Sequence, residues 1–178
     1  MEMTITESLA EIKTINARIA KKREAIMRYF IRPNVMRDPM EKEAGGTEGF
    51  IQRERQGITD LEQRIVTIRT AIQRRNLETS VTVGETSRPV QQWLNWRREV
   101  APGQQGSFRA LMGRIDQARQ QGRRDGKALT TSQEPSADGI LVLLNEKELA
   151  EQAEKLEQTL GDLDGKLSLM NATTTIDI

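Results

Sequence analysis

Cysteine and histidine are both absent from this chain. Without cysteine there is no disulfide, no thiol nucleophile and no clue to redox compartment. Without histidine the commonest general acid–base and metal ligand is missing. Together the two absences exclude Ser-His-Asp and Cys-His triads and the usual zinc sites. The 26 acidic residues leave carboxylate chemistry open. They are spread over helical faces at solvating positions, so the chain is expected to be no enzyme and to need no cofactor or metal. Aromatic residues make up only 3% and apolar residues 36% of the chain, which suits long helices that each bury a narrow stripe. No run approaches the ~18 apolar residues of a membrane span. The opening stretch MEMTITESLAEI has no basic segment ahead of an apolar one. Neither a membrane nor a secretory route is therefore expected.

What the chain does have is an internal repeat. Residues 61–83 and 156–178 align without a gap. Both begin Leu-Glu-Gln, both carry an asparagine at the same place (Asn76, Asn171), and both have a threonine three residues later (Thr79, Thr174). Apolar positions coincide as well, Ile65 with Leu160, Ile68 with Leu163, Ile72 with Leu167, Val81 with Ile176 and Val83 with Ile178. Each copy switches from a helical period to a period of two after its asparagine. Asparagine tolerates the left-handed backbone that often ends a helix. The expected fold class is therefore mainly α: an elongated antiparallel heptad-helix hairpin or bundle, with a small β-sheet built from the two helix-to-strand units. The first strand, 80–83, is the natural partner of the last, and a neighbouring subunit is the other candidate. One domain, 1–178, is expected.

Along the chain, Thr4 and Glu7 form a capping-box pattern ahead of isoleucines at 5, 12, 19 and 26. Pro33 ends that helix. Residues 32–49 read as an extended loop or arm, and Ile51, Ile58, Ile65 and Ile72 then carry a second heptad seam. Pro89 suits the first turn of a third helix, and Pro102-Gly103 should break it before a fourth capped by Ser107. Residues 101–138 read as a helical insertion and polar connector, and GILVLL (139–144) as a buried strand or docking segment. Asn145 and Glu148 resemble a second capping box. Leu149, Ala153, Leu156, Leu160, Leu163, Leu167 and Met170 then space 4,3,4,3,4,3. Gly161 and Gly165 interrupt this helix, which suggests a close approach by a neighbour.

Candidate contact residues follow from composition. Val35, Met36 and Met40 make the 32–49 arm apolar enough to fold back on the helices or dock on a neighbour. Trp93, Trp96, Arg97 and Arg98 form an aromatic cluster with arginines, suited to core packing, to an interface or to base stacking. Ile176 and Ile178 belong to a terminal strand in need of a partner. Arg114, Arg119, Arg123, Arg124 and Lys127 form a basic stretch interrupted by Asp116 and Asp125. A salt-bridging face is the first reading of it and phosphate contact the second. Charge is split along the chain: residues 1–133 hold 24 bases and 16 acids, residues 134–178 hold 3 and 10. The two parts could attract within one fold or between copies.

An Ile-rich helix ending Asn-x-x-Thr before Val-x-Val-Gly, followed by a Leu-heptad helix ending Asn-x-x-Thr, resembles a family of small helical proteins of bacterial and prophage genomes that bear the name septicolysin. The resemblance covers roughly residues 58–98 and 146–178. It is carried by Asn76, Thr79, Val81, Val83, Gly84, Arg97, Leu163, Asp164, Asn171 and Thr174. It implies a phage setting and transfers no set of functional residues. The leading expectation is a structural component of a virion assembled in the host cytoplasm, a capsid cement or decoration protein before a head–tail or tail part. Its partners would be virion proteins, the major capsid protein first, with many copies or a homo-oligomer. The alternative is an intracellular coiled-coil adaptor or nucleic-acid-binding regulator acting through Arg114–Lys127. A membrane-active toxin, as the family's name suggests, is the third reading.

Overall fold

A computed structural model describes residues 2–131, 134 and 136–178. The chain is mainly α, with five α-helices, one π turn and three two-stranded sheets among the described residues. It divides into two compact units, Met1–Glu78 with Ser168–Ile178, and Thr79–Leu167.

The first unit is an antiparallel helical hairpin closed by a small sheet. Helix α1 (Ile5–Tyr29) starts on the expected capping box: Thr4 Oγ1 accepts from Glu7 N–H, and the Glu7 carboxylate accepts from Thr4 N–H. Ile5, Ile12, Ile15 and Ile19 are buried along one stripe of α1, and Ile68 and Ile72 along α2 (Gly46–Glu78). Glu11–Arg64, Lys22–Glu54 and Arg23–Glu62 ion pairs flank the seam and fix its antiparallel sense. Strand β1 (Glu2–Thr4) precedes α1, and β6 (Thr175–Asp177) ends the chain; the two pair antiparallel, Met3 opposite Ile176.

That pairing corrects one expectation. The terminal strand does not pair with 80–83. Its partner is β1, and the Ile5 N–H reaches back to Thr174 O at 3.0 Å. The asparagines are corrected too. No non-glycine residue among those described has a positive φ, and α2 and α5 run past Asn76 and Asn171 to Glu78 and Thr173. Asn76 is instead a buried residue in the last turn of α2, with no hydrogen-bond partner for its Oδ1.

In the second unit, β2 (Ser80–Val83) and β3 (Thr86–Pro89) form a hairpin. Its two-residue turn places Gly84 at φ +56°, which only glycine adopts without penalty. Helix α3 (Val90–Asn95) follows, then a π turn (Trp96–Val100) and α4 (Ala101–Asp125). Pro102 therefore does not break the chain, and Ser107 lies inside α4 instead of capping it. Proline has no N–H and its ring collides with the carbonyl four residues back. The wider π turn immediately before it, with Ala101 N–H bonded to Trp96 O, makes room for the ring. Strands β4 (Leu129–Thr131) and β5 (Ile140–Val142) pair in parallel. The expected GILVLL strand covers only Ile140–Val142, with a partner inside what reads as the polar connector, and it is not buried: Leu141, Leu143 and Leu144 are exposed, because its sheet has only two strands. Helix α5 (Glu146–Thr173) is capped by Asn145, whose Oδ1 accepts from the Lys147 and Glu148 N–H groups. The boundary between the units falls within α5, between Leu167 and Ser168.

Candidate functional site

The 32–49 arm, in the first unit, is a built loop. Asp38 is its organising residue. Its carboxylate accepts from the Thr47 hydroxyl, from Met40 N–H at 2.9 Å and from Thr47 N–H at 3.1 Å, with the Arg32 guanidinium at 3.6 Å. Those donors, the Thr47 hydroxyl first, hold its pKa down to about 2. Gly46 sits at φ +57°, and a Cβ there would lie 2.6 Å from Asp38 Oδ2. Gly46 thus lets Asp38 reach the Thr47 N–H at the start of α2, as a cap supplied from across the loop.

Held this way, the loop and the end of α1 turn large apolar side chains outward. Val35 is 96% exposed and Ile31 74%. Met27, Phe30 and Met36 are each more than half exposed. Met40, the third apolar residue expected in the arm, is only half-buried. Met36 N–H closes a turn onto Pro33 O, and Arg32 Nη1 donates to Met36 O at 3.5 Å. Four arginines around this tip are paired, Arg28 with Glu24, Arg32 with Asp38, Arg37 with Glu41 and Arg53 with Glu43, while Lys42 is in no ion pair among the described residues. Residues Met27, Phe30, Ile31 and Asp38 are missed by the composition-based reading. The run MRYFIRPNVM, with apolar side chains set between arginines past a helix end, is the signal that would have found them.

The aromatic cluster belongs to the second unit, and packing accounts for its centre. Trp93 is buried and donates its indole N–H to Val81 O at 2.9 Å, tying α3 onto the hairpin. Arg88 lies over its ring at 5.1 Å and Trp96 meets it edge-on at 5.6 Å. Arg97 pairs with Asp164 of α5 at 2.8 Å, and Arg98 with its neighbour Glu99. In the first unit, Ile176 is buried in the β1–β6 sheet and Ile178 is half-buried.

The basic stretch is not one face. At about 100° per residue, Arg114 and Arg123 project from opposite sides of α4. Arg119 is engaged by Glu146, which raises its pKa, and by Asp116. Arg114 meets Gln117 at 3.4 Å, while Arg123, Arg124 and Lys127 are exposed.

A second apolar surface lies beside α4. Leu111, Leu141, Leu143 and Leu144 are exposed around an open groove of about 520 Å³ that Ile115 and Val142 also line. Leu143 is 78% exposed. A second groove of about 530 Å³ shares Ile115 and residues 142–144, and Arg119, Glu146 and Glu148 reach it. Among the described residues no group of three or more carboxylates is placed to hold a metal ion, and no helix is long and apolar enough to cross a membrane. No protein-family model, curated protein or solved structure matches this chain.

Proposed function

We propose that this protein is a structural component of a bacteriophage virion, a capsid cement or decoration protein in the first place and a head–tail or tail part in the second. The observation that carries the reading is that each unit bears its own exposed apolar surface, the Ile31–Val35 tip in one and the Leu141–Leu143 groove in the other. Exposed patches of this kind mark interaction sites. A chain with two of them can join two neighbours, which is what a cement protein does. The resemblance to septicolysin-named proteins of prophage genomes supports the phage setting.

The test is reconstitution on shells that lack the protein. The intact chain is expected to bind saturably, and Leu143→Asp to bind at least about tenfold more weakly, as for loss of an interface anchor. Failure of the intact chain to bind any particle surface contradicts the reading. The regulator alternative is weaker because the basic side chains are dispersed around α4. No retention on DNA at low salt is expected, and salt-dependent retention would favour the regulator.

A further inference from the structure

The tip of the helical hairpin has a geometry that selects its occupant. Five large apolar side chains, Met27, Phe30, Ile31, Val35 and Met36, are exposed within ten residues of chain. Their exposed surface amounts to roughly 600 Å², the upper end for the largest apolar patch on a monomer. An anionic lipid surface or a nucleic acid would call for unpaired cations here. Instead Arg28, Arg32 and Arg37 are each paired with an acid of the same tip, and Lys42 is the one cation of the arm outside an ion pair among the described residues. Two identical tips can therefore meet with little like-charge repulsion, and a twofold contact needs such a self-complementary patch. Two copies would together bury at most roughly 1,200 Å², the lower end of specific interfaces. The Asp38 network holds the loop before any partner arrives, so little ordering entropy is lost on contact.

We propose that this tip is a self-association surface, occupied by the same tip of a second copy of the chain. The proposal does not depend on the virion reading: copy number in particles tests that one, and the isolated chain tests this one.

Sedimentation equilibrium of the full chain over a wide concentration range is the experiment. The weight-average mass is expected to rise from 20.2 kDa toward twice that value. Val35→Asp with Met36→Asp is expected to hold it at the monomer value with an unchanged far-ultraviolet circular dichroism spectrum, since both side chains are exposed. Leu143→Asp, in the other unit, is expected to leave the dimer intact. A chain monomeric at every concentration overturns the proposal. So does a dimer that survives the tip substitutions or dissolves with Leu143→Asp. Co-sedimentation with phosphatidylcholine–phosphatidylglycerol vesicles, lost in the tip variant, would assign the tip to lipid and overturn it equally.

Discussion

Single residues set the two helix starts most open to test. The carboxyl of Asp38 titrates near 2 in the folded chain and at its ordinary value of 3.8 when free. A depressed folded pKa contributes stability that is fully present above the free value and lost as pH falls through the folded one. The arm should therefore stay ordered down to about pH 4 and loosen between there and about pH 2. Asp38→Asn should loosen it at neutral pH and abolish that dependence. The Thr47 amide resonance, followed by NMR against pH, reads both. At the other helix start, Thr4→Ala removes a cap and should cost about 1 kcal/mol in denaturant unfolding. Gly161 and Gly165 are exposed, and a Cβ at either would meet nothing within 4 Å. No other described part of the chain packs closely on them, contrary to what their place in a heptad helix suggests. Each Gly→Ala replacement should raise stability by about 1 kcal/mol.

Elements reveal what was readable in the sequence and what was not. The Thr4–Glu7 box, the isoleucine seams and the leucine heptad of α5 announce themselves because their signals are local and periodic. Strand β1 does not, because Glu2–Thr4 has no pattern of its own and exists through pairing with residues at the far end of the chain. Strand β3 hides behind Pro89, although the two-residue Gly84-Glu85 turn after SVTV was a usable hairpin signal. Pro102 misleads because a π turn absorbs it. The arm's apolar character was legible through Val35 and Met36, while its order was not, since Asp38 and Thr47 are nine residues apart. Two buried contacts test the elements directly. Ile68, fully buried in α2, should cost about 2–5 kcal/mol as alanine. Trp93→Phe keeps most of the packing but loses the indole N–H bond to Val81 O, and should cost about 1 kcal/mol. Thermal unfolding followed by circular dichroism separates these from the neutral surface variants.

Across the whole molecule the charge split seen along the chain largely disappears on folding. The first unit holds 15 basic and 13 acidic residues and the second 12 and 13. In the second unit the acidic last helix shares its fold with basic residues of the π turn and α4, through Arg97–Asp164 and Arg119–Glu146. Charge segregation is thus no basis for contacts between copies, and the apolar surfaces of the two units remain as the features that would join neighbours. Quantitative mass spectrometry of purified particles from the source phage tests the cement-protein reading most directly. A copy number comparable with that of the major capsid protein is the expected result. Absence of the chain from the particle would contradict it.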